Sequence, residues 1–232
     1  MGAFQLTRLA IFDLDGTLVD SLEDLADACN AALIKAQQPT HEADAYRLFV
    51  GNGREKLIER MLPEACRSEA LARTVLADYN AFYTVHLTDK TKPYAGITRT
   101  LAALKDAGIL CAVNTNKPQF FADVIIEALF APGTFAAVFG KNERFPEKPD
   151  PSAVLALMAR FDADAAHTVF AGDSGVDAAT ARHAGIPCVG CAWGFRGRDE
   201  LEAAGADAVA DTPDRLAALI IERLPGTTAN FK

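Results

Sequence analysis

Residues 11–21 read IFDLDGTLVDS. An apolar run, Leu9-Ala10-Ile11-Phe12, ends at Asp13, and a second carboxylate follows at Asp15. A short apolar run bounded by a turn signal predicts a buried strand. In an extended path residues i and i+2 point to the same side. Both carboxylates then stand together just past the strand's carboxyl end. Gly16 permits a tight turn, and Thr17 can bond to backbone there. Two aspartates in one environment repel each other, so they make sense around a cation or with one of them protonated. A solvated turn is the competing reading, because Asp-Gly pairs are common in turns.

Working outward, similar apolar runs recur at 110–113, 136–139, 168–171, 188–190 and 208–209. Helical patterns lie between them: 97–107 before Gly108, 118–129 opened by Pro118, 152–161, 176–184 before Gly185, and 214–224. Alternation of this kind predicts a parallel sheet covered by helices on both faces, with ligands bound outside the carboxyl ends of the strands.

Residues 20–92 break the alternation and contain no convincing strand. Asp20-Ser21 can cap a helix whose apolar positions are Leu22, Leu25, Ala26, Cys29 and Leu33. Further helices are expected at 42–50, 54–61 and 68–86. The expected organisation is a catalytic core of residues 1–19 and 93–232, with a helical unit of residues 20–92 inserted after the first strand. Two chain crossings, near Val19 and Pro93, would let that unit move as a lid.

The length of 232 residues, half of them hydrophobic, suffices for a sizeable core. A net charge of −8 without a basic stripe argues against nucleic acid or an anionic membrane as partner. The amino-terminal stretch lacks a signal-peptide pattern, and no apolar run approaches a membrane span, so a soluble, cytoplasmic protein is expected. Five cysteines include the pair Cys188 and Cys191 in an apolar, strand-like stretch, which predicts two buried thiols and no zinc site. His41, His86, His167 and His183 show no metal-ligand spacing and read as surface or helix-end residues. Trp193-Gly194-Phe195 is read as core or rim packing, with a place on the cleft as the alternative.

Asp13 and Asp15 have company. The second strand runs into Asn114-Thr115-Asn116-Lys117. Lys148 follows the third strand, and the fourth runs into Gly172-Asp173-Ser174-Gly175-Val176-Asp177. Carboxylates, hydroxyl and amide donors and a lysine at one sheet edge suit phosphoryl chemistry. Three carboxylates can hold Mg²⁺, and Lys and Thr can steady the equatorial oxygens. A carboxylate can then act as nucleophile.

These four motifs together resemble those of the haloacid dehalogenase-like hydrolase superfamily, over nearly the whole chain. The resemblance implies an α/β, Rossmann-like doubly wound parallel sheet with strand order 5-4-1-2-3 and an inserted α-helical cap domain. It implies Asp13 as nucleophile and Asp15 as the acid for the leaving alcohol and then the base for water. It also implies that Thr115, Asn116 and Lys148 bind the phosphoryl group, with Lys148 restraining Asp13. Mg²⁺ would be held by Asp13, the Asp15 carbonyl and Asp173, with Asp177 nearby or bonding directly. Gly172 would let the backbone pass close to the metal.

Haloalkanoate dehalogenases of this superfamily lack the second aspartate, so Asp15 argues against dehalogenation. Hexose-phosphate mutases carry a histidine twelve positions after the nucleophile, where this chain has Leu25. The stretches DLDGTLVDSLEDLADACNAAL, FVGNGREKLIERML, TNKP, EKPDP and GDSGVDAATARHAG are similar to bacterial phosphoglycolate phosphatases. Asn114, where an apolar residue is usual, and Lys141 depart from that pattern. The implied substrate is a small phosphorylated metabolite, phosphoglycolate first. A broader small-metabolite phosphatase for sugar phosphates, nucleotides or pyrophosphate is the alternative, and a non-catalytic phosphometabolite-binding module is a distant one. A substrate carboxylate would need cap donors. Candidates are Gly51-Asn52-Gly53, which could offer backbone N–H groups or merely turn the chain, and Arg54 and Arg47, which could equally be solvated. The expected assembly is a monomer or homodimer.

Overall fold

β1 (Leu9–Phe12) is fully buried along its length. The two-residue alternation of a strand sends Leu9 and Ile11 into one apolar cluster and Ala10 and Phe12 into another. Such a strand needs cover on both faces. The computed structural model describes residues 6–224. After β1 the chain passes through β2 (Val19–Asp20), four helices and β3 (Lys92–Pro93). The helices are α1 (Leu22–Lys35), the one-turn α2 (Tyr46–Phe49), α3 (Gly53–Met61) and α4 (Glu69–His86). Strand and helix then alternate through α5 (Ile97–Asp106), β4 (Leu110–Pro118), α6 (Gln119–Leu129) and β5 (Ala137–Lys141). Next come α7 (Ser152–Arg160), β6 (Thr168–Gly172), α8 (Gly175–Ala184) and β7 (Cys188–Cys191). The described chain closes with α9 (Gly197–Ala203), β8 (Ala208–Ala210) and α10 (Pro213–Arg223).

The main sheet has the order β5-β4-β1-β6-β7-β8, and every pairing in it is parallel. This is the expected order with one further strand at the edge. One face packs against α7 and α8 through Val154, Leu157, Ala178 and Ala181. The other packs against α5, α6 and α10 through Leu101, Leu104, Phe121, Ile125, Leu216 and Ile220. The largest apolar cluster continues from that second face into α1, α3 and α4, through Leu25, Leu33, Leu57, Met61 and Tyr83.

Several local expectations change. The two chain crossings are not bare: Val19 pairs with Pro93 and Asp20 with Lys92 in a short antiparallel ribbon. The helix expected over 42–50 divides into a 3₁₀ turn at Ala43–Ala45 and α2. Ser21 makes no side-chain cap on α1; its hydroxyl donates to Asp15. β4 runs five residues past its apolar run, since Asn114, Thr115, Asn116 and Lys117 are all buried under the helical segment. α9 was not legible, as only Leu201 of its seven residues is buried. Cys188 and Cys191 are buried and unbridged.

The chain's return to the sheet is held by a buried carboxylate. Asp24 on α1 accepts hydrogen bonds from the amides of Lys90 and Thr91 and from the Thr91 hydroxyl, at 2.6–3.1 Å. Asp24→Ala leaves those donors unpaired. It is expected to cost about 3 kcal/mol and to lower Tm by roughly 6–12 °C in a thermal scan. An unchanged Tm would show that the joint does not depend on this residue.

Candidate active site

The carboxyl ends of β1, β4 and β6 lie side by side because these strands are neighbours in the sheet. The Asp13 amide donates to the Ala171 carbonyl at 2.9 Å, so the β1 end is tied to β6. Gly16, at φ 83°, turns the chain immediately afterwards in a conformation a side chain would strain. A Cβ at Gly172 would overlap the Asp177 carboxylate, so glycine is required where β6 meets α8.

Asp13, Asp173 and Asp177 converge, with carboxylate oxygens within 4.8 Å of one another. Lys148 sits among them, its Nζ 2.9 Å from Asp13 Oδ1 and 2.7 Å from Asp177 Oδ1. The Leu14 amide also donates to Asp13 Oδ1, at 2.7 Å, so the described bonds to this carboxylate fall on one oxygen. Asp173 accepts from the Phe195 amide at 2.7 Å and, at 3.3 Å, from the Thr17 hydroxyl. Both Asp177 oxygens are engaged, one by Lys148 and the other by the Ser174 amide and hydroxyl in a capping box that opens α8.

Burial pushes the Asp13 carboxyl up from 3.8 to about 6, with Lys148 opposing and Asp177 reinforcing the rise. Burial likewise lifts Asp173 well above its ordinary value, and the charges of Asp177 and Asp13 add to it. Burial alone would lower the Lys148 ammonium, but Asp13 and Asp177 outweigh it and hold the group above the usual lysine range. One ammonium against three buried carboxylates leaves uncompensated negative charge. An oxygen-only donor set of this kind fits a hard divalent cation.

Asp15 points away from that cluster. It accepts from the Ser21 hydroxyl at 2.5 Å and forms an ion pair with Lys117 at 2.9 Å. The two aspartates therefore do not share one environment. The turn after β1 sends Asp13 toward β6 and Asp15 toward the helical segment. Thr115 and Asn116 are both buried and line the cavity with Asp13 and Asp15. Asn116 holds Lys148 by its backbone, accepting from its amide at 2.7 Å and donating to its carbonyl at 3.2 Å. It also donates to the Gly51 carbonyl across the cleft.

The cavity measures about 60 Å³ and lies between the sheet edge and α1, α3 and α4. Gly51, Gly53 and Arg54 line it. Arg47 and Asn52 do not. Arg47 pairs with Asp44, and Asn52 accepts from Arg60. Leu25 adds an apolar wall where mutases carry histidine. Lys117, from the polar run after the second strand, and Phe195, whose place on the cleft was the alternative to packing, also line the cavity, as do Tyr79 and Tyr83, which no sequence signal marks. Tyr79 and Tyr83 follow Val75 at helical spacing, a pattern that reads as core alone. Phe195 takes the cleft position, whereas Trp193 packs at the rim and donates to the Thr17 carbonyl. Asn114 is buried with its side-chain carbonyl unpartnered. Lys141 reaches across to Glu55 on α3 at 3.1 Å and also pairs with Glu147, so its unusual position joins the helical segment to the core. Among the described residues no helix is long and apolar enough to cross a membrane.

Comparison with known proteins agrees with this geometry. Residues 10–191 match the family model described as haloacid dehalogenase-like hydrolase. A phosphoglycolate phosphatase of Pseudomonas putida is 34% identical over 211 residues, covering 89% of this chain and 77% of that protein. One from Mesorhizobium japonicum is 34% identical over 192 residues, covering 82% and 85%. The crystal structure of a predicted phosphoglycolate phosphatase from Haemophilus somnus superposes with a TM-score of 0.85 at 29% identity, over 94% of this chain and 99% of that one. With the family model spanning more than half the chain and both site-bearing halves of the sheet, the protein belongs to the haloacid dehalogenase-like hydrolases.

Proposed function

We propose that the protein is a phosphomonoester hydrolase that uses Mg²⁺ and acts on 2-phosphoglycolate, releasing glycolate and phosphate. The observation that carries this reading is the setting of Asp13, a nearly buried carboxylate at a strand end, beside Lys148, Thr115 and a cation-competent carboxylate pair. The substrate follows from what the curated relatives are named for.

In this mechanism the Asp13 oxygen left free by Lys148 and Leu14 attacks phosphorus, and the ester P–O bond breaks. Asp15, having released Lys117 and taken a proton from solvent, gives that proton to the departing glycolate oxygen. It then takes a proton from the water that attacks the aspartyl phosphate, which frees phosphate and restores Asp13. Lys148 and Thr115 steady the phosphoryl oxygens, and Asn116 fixes Lys148. Asp13 and Asp173 would hold the cation, with Asp177 orienting Lys148. The cation, when bound, masks phosphate charge. Residues 20–92 serve as a cap that closes over the cavity, hinged at the β2–β3 ribbon. The five thiols are all unbridged, which suits a reducing cytoplasm.

Phosphate release from 2-phosphoglycolate, sugar phosphates, nucleotides and pyrophosphate, each with Mg²⁺ and with EDTA, tests the proposal. Phosphoglycolate is expected to lead in kcat/KM by about ten-fold or more, with no turnover in EDTA. Turnover led by another ester fails the substrate. No turnover with Mg²⁺ favours a binding module.

Cation binding has its own signature. A carboxyl whose folded pKa is raised binds protons more tightly folded than unfolded. Metal-free stability therefore falls as pH rises from about 4 through about 6. A cation favours the ionised form and opposes that loss. Mg²⁺ at a hundred times its Kd is expected to add about 2.7 kcal/mol at pH 7.5, raising Tm by roughly 5–10 °C, and much less at pH 5. Equal gains at both pH values would remove these carboxylates as the cation site.

A further inference from the structure

Three cationic groups that line the cavity touch no substrate atom in the steps above, Arg54, Lys117 and Arg196, and Lys117 alone of them contacts Asp15. Lys117 lies near the end of β4, with its side chain only 4% exposed. Its Nζ donates to both Asp15 oxygens, at 3.0 and 2.9 Å, and stands 4.8 Å from the centre of the Tyr83 ring. Asp15 does not depend on it for position, because Ser21 already holds that carboxylate at 2.5 Å. The walls nearby are apolar or aromatic: Leu25, Leu57, Tyr79, Tyr83 and Phe121. A desolvated ammonium there is costly unless it meets negative charge, so it stays with Asp15 until another anion takes that place.

Two further donors in the same lining are unsatisfied. The Tyr83 hydroxyl and Arg54 Nε are buried and have no hydrogen-bond partner. The Glu55 carboxylate stands 3.6 Å from Arg54 Nε, beyond hydrogen-bonding range. Buried donors without partners are rare in folded proteins. Here they flank a cavity that already holds one ammonium, which is the setting of an anionic ligand group.

We propose that Lys117 binds the substrate carboxylate and thereby selects phosphomonoesters carrying a carboxylate on the carbon next to the ester oxygen. Arg54 and the Tyr83 hydroxyl supply the remaining bonds. The assignment rests on the activity proposed above and names the residue that reads its substrate. Geometry requires little more. Asp15 must come within hydrogen-bond reach of the ester oxygen to protonate it. In phosphoglycolate the carboxyl carbon is only two bonds from that oxygen. A group touching Asp15 is therefore also beside the carboxylate. Lys117 is the cation in that position, and the substrate carboxylate competes with Asp15 for its ammonium. Of the two arginines nominated from sequence, only Arg54 lines the cavity; Arg47 pairs with Asp44 and donates to the Gly194 carbonyl.

The test compares kcat/KM for 2-phosphoglycolate with that for its neutral amide, 2-phosphoglycolamide, in the wild type and in Lys117→Met, Lys117→Gln and Lys117→Arg. The wild type is expected to favour the acid by at least ten-fold. Lys117→Met and Lys117→Gln are expected to lower that ratio by ten-fold or more, about 1.4 kcal/mol, and Lys117→Arg to recover part of it. If methionine at this position unfolds the protein, the glutamine variant, which keeps a donor, gives the same ratio. Parallel losses on both esters, or an unchanged ratio, overturn the assignment, because Lys117 then serves Asp15 or the fold alone. A wild type that prefers an unrelated ester overturns the activity itself, and the lysine's role with it. A wild type that prefers the acid, with variants that keep the preference, overturns only the lysine.

Discussion

Asp13→Asn is expected to fold normally and to release phosphate at least about 10⁴ times more slowly, a loss of roughly 5.5 kcal/mol in transition-state stabilisation. The amide is isosteric and keeps the carbonyl oxygen that accepts from Leu14. It cannot form the bond to phosphorus that the carboxylate forms. Stability should barely change, because two effects oppose each other. The substitution removes a carboxyl that burial has already pushed up to about 6, and it takes the negative charge, though not the oxygen, from beside Lys148 while Asp177 remains at 2.7 Å. Single-turnover phosphate release and a thermal scan are the measurements. Substantial Mg²⁺-dependent turnover in the folded variant would transfer the nucleophile's role to another residue.

Lys148→Met should damage both activity and stability. The lysine is buried between Asp13 and Asp177, and Asn116 grips its backbone from both sides. Without the ammonium, Asp13, Asp173 and Asp177 share a buried site with no lysine among them. Breaking a buried ion pair by removing one partner costs about 3–5 kcal/mol, a Tm fall of roughly 6–20 °C. Loss of a donor to the phosphoryl oxygens adds a fall in kcat of about 10²–10³. The stability loss has a definite pH dependence. Removing the cation raises the folded-state carboxyl pKa values further above their unfolded values. The variant then loses stability as pH rises from about 4, and the gap from wild type is wider at pH 7.5 than at pH 5. Unfolding measured at both pH values checks the sign. A gap that is constant with pH would mean that the loss comes from packing and not from charge.

Both predictions concern residues that neighbouring strands bring together from distant parts of the chain. β1 lies between β4 and β6, and Asp13, Thr115 and Asp173 sit one or two residues beyond runs of buried apolar side chains. That regularity is why these candidate positions were legible in the sequence. A strand end is a local event, marked by an apolar run that stops; Asp13, Thr115 and Asp173 each follow such a stop within two residues, whereas Lys148 stands on the longer loop between β5 and α7. The alternation of strands and helices, the strand order implied by the resemblance and most element bounds were readable for the same reason.

Pairings could not be read in this way, because a side chain's partner depends on which elements the sheet order makes adjacent. Asp13 and Asp15 look equivalent in IFDLDG, yet the turn at Gly16 gives one to Lys148 and the other to Lys117 and Ser21. Arg47 and Arg54 look equivalent in sequence, but only Arg54 reaches the cavity. Asn116 resembles a phosphate ligand, but its side chain is occupied by the Lys148 backbone and Gly51. Local pattern thus determined where the chain would place reactive groups, since hydrophobic periodicity is a property of adjacent residues. Tertiary packing alone decided which charges meet, because burial leaves each of them only the partners that other segments bring within reach.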